Sequence, residues 1–239
     1  MSERTAWVTG GGTGIGLGIA RALADDGFTV YISGRRRAVL DEVAETHAPG
    51  SAGGTIIPAP ADVSSEDDVA ATVDRIRRET GRLDVVAMSA GINVINRSLA
   101  DTTADEWRRL LDVNATGSFL VMKASVPLMK EHGGGLIVNV SSVAGLRALA
   151  MAGVAYSASK FASRSLGVFA GNELARDGIR VTTIYPGEVN TPMLDERLEP
   201  LPPERRAEMV QPEDVGAVVA LIARLPDTTM ISELVIKPR

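Results

Sequence analysis

The sequence predicts an α/β fold: a doubly wound, mostly parallel sheet of seven strands with helices on both faces, built as a single domain over residues 1–239. Three observations predict it. Short apolar runs alternate with longer helical patterns along the chain, the pattern of strand–helix–strand units. The strand runs are near-continuous in apolar residues, as strands are when a parallel sheet is covered on both faces. The chain is 45% hydrophobic but only 4% aromatic, with 24 glycines, which suits close helix–sheet packing.

The elements follow in order. "TAWVTG" reads as the first strand and "IGLGIARALADDG" as a helix stopped by Gly27. "FTVYISG" is the second strand, "RAVLDEVAETH" a helix, and "TIIPAPAD" (residues 55–62) the third strand. "SEDDVAATVDRIRRETG" is helical, with Ser65 as N-cap and Gly81 as stop. "LDVVAMSAG" is the fourth strand. Residues 102–135 hold one or two helices, opened by a capping box of Thr103 with Glu106. "GLIVNVSS" is the fifth strand, 153–176 a helix, and "IRVTTIYPG" the sixth strand. A Pro-rich, charged segment from Glu188 to Gln211 precedes the helix "PEDVGAVVALIARL", and "ISELVIKP" is the seventh strand. No linker, low-complexity tract or internal repeat divides the chain.

Composition excludes several function classes. The net charge of −5 argues against a nucleic-acid partner, whose binding domain is normally basic. The absence of Cys removes disulfides, thiolate zinc sites and thiol catalysis. His47 and His132 sit in loop or helix-end contexts, so no His-based metal site or triad is expected. "MSERTAWVTG" has no apolar signal core, and the most apolar run, "VGAVVALIARL", is too short to span a bilayer. The expectation is a cytoplasmic protein with no membrane partner.

Two stretches carry chemistry. "VTGGGTGIG" joins the first strand to the first helix, with glycines at Gly10, Gly14 and Gly16. Glycines there permit a tight turn and let the backbone approach a pyrophosphate seated on the helix N-terminus. The spacing is TGxxxGxG rather than GxGxxG, and the Lys and Ser/Thr of a P-loop are missing. The second stretch is "VAYSASKFAS". Tyr156 and Lys160 are spaced i, i+4 and so share one helix face, a phenol beside an ammonium on an otherwise small, Ala/Ser-rich surface.

Together with "ADV" after strand three, "SAG" after strand four, "VNATGSF", "VNVSSVAG" and "PGEVNTPM", these stretches come in one order over nearly the whole chain. In that order the sequence resembles the short-chain dehydrogenase/reductase (SDR) family, which has a Rossmann-type domain. The resemblance implies that Tyr156 is the acid/base, with Lys160 lowering its pKa and binding the nicotinamide ribose. It implies that Ser142 hydrogen-bonds the substrate oxygen, with Ser141 as the fallback. Strand alternation lets only one of the two face the site, and Gly145 favours Ser142. Asn114 matches the family's helix Asn, which helps hold a water linked to the Lys. For the coenzyme, the resemblance implies the loop residues Gly10, Thr13, Gly14, Ile15 and Gly16. Asp62 and Val63 are expected at the adenine, and Ala90 and Gly91 beside a ribose. Pro186, Gly187, Val189 and Thr191 are expected around the nicotinamide. One departure stands out: Met88-Ser89 replaces the family's usual Asn pair, removing two amides that brace the central sheet.

After strand two the chain reads "SGRRR", with no carboxylate to hold ribose hydroxyls. Arg35, with Arg36 in support, is expected to hold a 2′-phosphate. NADP(H) is therefore the preferred coenzyme and NAD(H) the alternative; the neutral Thr13 stands where some NADP users have a basic residue. The segment 188–211 is read as a substrate lid. Leu149, Met151, Val189, Met193 and Leu194 are expected to wall a pocket for a small or medium carbonyl or alcohol. Two other readings remain: a non-catalytic dinucleotide-binding regulator on the same fold, and an epimerase or dehydratase of the extended branch. An intact Ser142, Tyr156 and Lys160 weighs against the first. The TGxxxGxG loop and the lack of a longer C-terminal domain weigh against the second. Pairing of the helices 105–130 and 153–176 with their copies, through Val121, Met122, Val168 and Phe169, predicts a homodimer, with a tetramer as the alternative.

Overall fold

A computed structural model describes residues 4–48, 53–196 and 201–239. Seven strands form one sheet: β1 (Arg4–Thr9), β2 (Phe28–Ser33), β3 (Thr55–Pro58), β4 (Val85–Met88), β5 (Gly135–Val140), β6 (Ile179–Pro186) and β7 (Glu233–Ile236). Their order is β3-β2-β1-β4-β5-β6-β7, and every neighbouring pair is parallel. The order reverses between β1 and β4, and at such a switch point the loops leaving the strands part and open a crevice.

Side-chain alternation along the strands divides the core in two. Ala6 and Val8 of β1 face one layer while Trp7 between them faces the other. The first layer is covered by α1 (Gly14–Asp25), α2 (Arg37–Thr46) and α8 (Pro212–Arg224), through Ile19, Leu23, Leu40, Val215 and Val219. The second is covered by α3 (Glu66–Glu79), α5 (Gly117–Glu131) and α6 (Val154–Leu174), through Val73, Ile76, Leu128, Ala170 and Leu174. The helices α4 (Ala104–Leu111) and α7 (Pro203–Ala207) complete the chain.

The predicted caps form. The Ser65 hydroxyl accepts from Asp68 N at 3.2 Å. Thr103 and Glu106 make a reciprocal capping box, Glu106 N donating to Thr103 Oγ1 at 3.2 Å and Thr103 N to Glu106 Oε2 at 2.8 Å. The third strand is shorter than residues 55–62. It lies at the sheet edge and ends at Pro58, with Pro60 just beyond; proline has no N–H to donate to a ladder. Residues 104–131 are helical throughout but carry a π-helical turn over Asp112–Thr116. That turn widens the helix at Asn114, as π-turns often do near functional sites.

Candidate active site

The glycine loop is closed by backbone against backbone. Gly10 and Gly14 adopt φ of 67° and 54°, a region that side-chain-bearing residues rarely enter. A Cβ on Gly16 would lie 2.2 Å from Gly10 O, so only glycine lets α1 start this close to β1. Thr13 is the N-cap of α1 and Ile15 stands in its first turn, half-buried against the core. The loop borders a cavity of about 980 Å³ over the β1–β4 switch point. Every coenzyme-contact residue expected from the sequence lines it: Gly10, Thr13, Gly14, Ile15 and Gly16; Arg35, Arg36, Asp62 and Val63; Ala90, Gly91, Pro186, Gly187, Val189 and Thr191. Thr191 reaches the loop itself, its methyl 3.1 Å from where a Gly14 Cβ would stand.

Arg35 and Arg36 are exposed beside the loop. Arg36 occupies the N-cap position of α2 without a side-chain capping bond, the first turn has no acid, and Arg37 pairs with Asp41 at 3.4 Å. Asp62 is largely engaged in its own turn. Its Oδ1 accepts from Ser64 Oγ at 2.6 Å and Ser64 N at 3.0 Å. Those bonds first, and the charge of Arg35 after them, hold its carboxyl below the usual range.

Ser142, Tyr156 and Lys160 line the same cavity, Ser142 bonded to Tyr156 and Lys160 5.7 Å from the Tyr156 ring centre. The adjacent serines divide as alternation requires. Ser141 is buried and donates from Oγ to Lys160 O at 3.0 Å, pinning α6 to the end of β5. Ser142 instead hydrogen-bonds the Tyr156 side chain, and its Oγ also accepts from Ala144 N at 3.1 Å. Lys160 is buried and donates from Nζ to Val140 O at 3.0 Å. Burial lowers its pKa to about 8. Tyr156 differs from the expectation that Lys160 brings it down. Burial raises the phenol above its ordinary value, and the opposing pulls come from the Ser142 hydrogen bond and the charge of Arg97. Lys160 is itself desolvated and turned toward the Val140 carbonyl.

Asn114, in the π-turn, does not line the cavity but lies directly behind it. Its Oδ1 accepts from Ile92 N at 2.8 Å, and its Nδ2 donates to Ile92 O at 3.0 Å and Ser159 Oγ at 3.0 Å. It thereby ties the loop after β4 to the helix that carries Tyr156 and Lys160. A Cβ on Gly91 would sit 3.4 Å from Asn114 Oδ1 and 3.5 Å from Lys160 Nζ, so the three are packed at contact.

The Met88-Ser89 departure is bridged by other groups. Thr9 Oγ1 accepts from Ser89 N and Ala90 N, both at 3.2 Å. Asn139 on β5, which sequence reasoning passed over, braces α6. Its Nδ2 donates to Ser163 O at 2.8 Å and its Oδ1 accepts from Ser163 Oγ at 2.9 Å. A polar residue inside the apolar run "LIVNV" is the trace it leaves in the sequence. Arg97, also passed over, is bonded through its guanidinium to Val94 O at 3.3 Å and Met151 O at 2.6 Å, and has no motif to announce it.

The segment 188–211 closes on itself, apart from residues 197–200, which lie outside the described residues. Val189 bridges Val210, and Arg205 pairs with Glu188 at 2.6 Å. Of the expected apolar wall, Met151, Val189, Met193 and Leu194 line the cavity. Leu149 does not; it lies on the turn before α6, outside the lining.

The dimer surface needs a similar correction. Val121 and Met122 are 1% and 5% exposed, because that face of α5 packs on the sheet. Val168 and Phe169 of α6 are exposed, at 42% and 65%, and are joined by Phe161 and by Phe119 of α5. Among the described residues no helix is long and apolar enough to cross a membrane.

Known proteins resemble this chain over most of its length. The short chain dehydrogenase family profile matches residues 4–201. An uncharacterized oxidoreductase of Staphylococcus aureus (strain MRSA252) is 30% identical over 238 residues, covering 100% of this chain and 98% of the relative. Among solved structures, a metagenomic short-chain oxidoreductase in complex with NADP superposes with a TM-score of 0.84 at 31% identity, covering 99% of this chain and 97% of that one. An alcohol dehydrogenase from the archaeon Thermococcus sibiricus, complexed with 5-hydroxy-NADP, gives 0.88 at 26% identity, again over 99% and 97%.

Proposed function

The chain belongs to the short chain dehydrogenase family, and from that membership we propose that it is an NADP(H)-dependent oxidoreductase acting between a carbonyl and a secondary alcohol. The observation that carries the reading is the convergence of Ser142, Tyr156 and Lys160 in a cavity that is also lined by the glycine loop with Arg35 and Arg36. The residues fit such a coenzyme. The positive-φ glycines leave room for a pyrophosphate over the start of α1, and the two arginines stand where a 2′-phosphate would be met by charge. A structural relative carries NADP, which supports the same choice over NAD.

A bound nicotinamide would supply or accept the hydride. The chain's own residues handle the proton. In reduction, Tyr156 Oη would give its proton to the carbonyl oxygen of a substrate whose carbon takes up that hydride, so that an alcohol results. Ser142, already bonded to Tyr156, donates toward the same oxygen and stabilises charge developing there. Lys160, 5.7 Å from the centre of the Tyr156 ring, would offer its ammonium to the coenzyme ribose. Asn114 acts through position, holding the loop after β4 against α6. Met151, Val189, Met193 and Leu194 supply the apolar wall, and 188–211 is the lid.

The protein is read as one domain over residues 1–239, working in the cytoplasm as a homodimer. Phe119, Phe161, Val168 and Phe169 supply the apolar face that a second copy would cover. A panel of ketones and secondary alcohols, followed by NADPH absorbance, tests the reading: turnover with NADPH supports it. Tight NADPH binding without turnover of any substrate favours the regulator.

A further inference from the structure

Tyr156 is carried by a part of α6 that the helix does not hold by itself. The ladder of α6 begins where Ser157 N donates to Gly153 O at 3.0 Å. Tyr156 stands in the turn before it, among N–H groups for which the helix has no carbonyl. Gly153, the N-cap, has φ of 92° and no side chain to cap that turn. An end of this kind frays unless something outside the helix holds it.

The loop after β4, residues 92–97, holds it in three places. Val154 N, the first amide of α6, donates to Arg97 O at 3.0 Å, and a Cβ on Gly153 would lie 3.0 Å from Arg97 Cβ. On the segment ahead of the helix, Arg97 Nη1 donates to Met151 O at 2.6 Å and Asn93 Nδ2 to Ala152 O at 3.1 Å. Beyond it, Tyr156 O accepts from Ser159 Oγ at 2.8 Å, the hydroxyl that Asn114 joins to Ile92. Asn93 uses both ends of its amide here. Its Oδ1 accepts from Val94 N at 2.8 Å, which turns Nδ2 toward Ala152 O. A carboxylate could make only the first of these bonds and a hydrocarbon neither. Asn93 is half-buried and lines the cavity, as do Ala90 and Gly91 just before it.

We propose that Asn93 is a positioning residue: through Ala152 O it holds the first turn of α6, and with it Tyr156, from the same loop that borders the coenzyme cavity. The proposal rests on the oxidoreductase reading above and adds to it a residue that acts through Tyr156. Proton transfer demands that the donor be held closely, since a displacement of about 1 Å can cost on the order of 10²-fold in rate.

Hydrogen exchange of the coenzyme-free protein tests the clasp without turnover. Asn93→Asp keeps an acceptor for Val94 N but has no N–H for Ala152 O, and Asn93→Ala loses both bonds. In each, the amides of Val154 and Ser157 should exchange about fivefold faster or more, the worth of one hydrogen bond, while the later turns of α6 keep the parent rate. Unchanged exchange at Val154 and Ser157 would overturn the proposal. Faster exchange along the whole of α6 in both variants would make Asn93 a general stabiliser and overturn it as well. Turnover then locates the effect at Tyr156. With a ketone that the intact enzyme reduces, Asn93→Ala, which adds no charge, should lower kcat by about tenfold or more and leave NADPH affinity within about twofold. In a Tyr156→Phe background the same change should cost less than about twofold, because the group it positions is gone. An equal loss in both backgrounds would overturn the positioning role. An intact enzyme that turns over no ketone or alcohol would instead overturn the redox reading, with the exchange rates still deciding the clasp.

Discussion

Lys160 holds its ammonium 5.7 Å from the centre of the Tyr156 ring, one helical turn along α6. The pair was drawn together by helix geometry, but its electrostatics are set by burial. Desolvation moves the two groups in opposite directions, the phenol up and the ammonium down to about 8. Each is therefore nearer its neutral form than it would be in water, and an anion arriving in the site would pull Lys160 back toward charge.

This burial makes a prediction about stability. Lys160 titrates near 8 in the folded chain against an ordinary 10.5. Below pH 8 both states carry the proton, and the folded state bears the cost of the buried charge. As pH rises from 8 toward 10.5, the folded state gives up its proton first. The unfolded state then binds more protons, so stability rises with pH. Chemical unfolding of the coenzyme-free protein and of Lys160→Met between pH 7 and pH 10 checks this. The intact protein should gain roughly 2–3 kcal/mol relative to the variant over that range. Parallel curves would show that Lys160 keeps an ordinary pKa.

The arginines after β2 make a second prediction. Arg35→Ala should weaken NADPH binding by roughly 1.5–3 kcal/mol and NADH binding little, and removing Arg36 as well should deepen the difference. Titration of both coenzymes against each variant measures it. Equal losses for NADH and NADPH would mean that the arginines do not read the 2′-phosphate.

Asn139 makes a third. It is fully buried and joins β5 to α6 through Ser163. Asn139→Ala strands buried polar groups on both sides and should cost about 1–3 kcal/mol for each one left unpaired. Turnover should fall with it, since α6 carries Tyr156. An unchanged denaturation midpoint would show that the brace is dispensable.

The exposed face of α5 and α6 makes a fourth. Light scattering should find a dimer at micromolar concentration, and Phe169→Glu should dissociate it by placing a charge in an apolar contact. A monomeric intact protein, or a dimer indifferent to Phe169→Glu, would rule this surface out.

Most of the fold was legible in the sequence because its determinants are local. The alternation of apolar runs with capped helices marks β1 to β7 without reference to distant contacts, and Ser65 and Thr103 mark helix starts through their own hydroxyls. The cavity lining was legible for the same reason, since the expected coenzyme residues of the glycine loop, of β2, β3, β4 and β6 lie at a strand's end, in the loop that leaves it or in the first helical turn beyond. What escaped depends on which way a side chain turns. Val121 and Met122 look like surface on an amphipathic helix, but the sheet covers that face. Asp62 lines the cavity at the strand end where the sequence puts it, but the two bonds its Oδ1 accepts from Ser64 depend on how the turn folds. Arg97 gains its place beside Tyr156 only through a loop that folds back onto the segment before α6, a contact no spacing along the chain encodes.

The central claim is that Tyr156 delivers the proton in a hydride-transfer reaction, and Tyr156→Phe tests it most directly. The substitution keeps the ring and removes only the hydroxyl, so folding and NADPH binding should survive, as coenzyme titration would verify. With a ketone that the intact enzyme reduces, kcat should fall by at least about 10²-fold, the contribution of a positioned acid. A Tyr156→Phe protein that binds NADPH and reduces the same substrate at the parent rate would contradict the account, leaving Tyr156 as no more than a side chain on the face of α6.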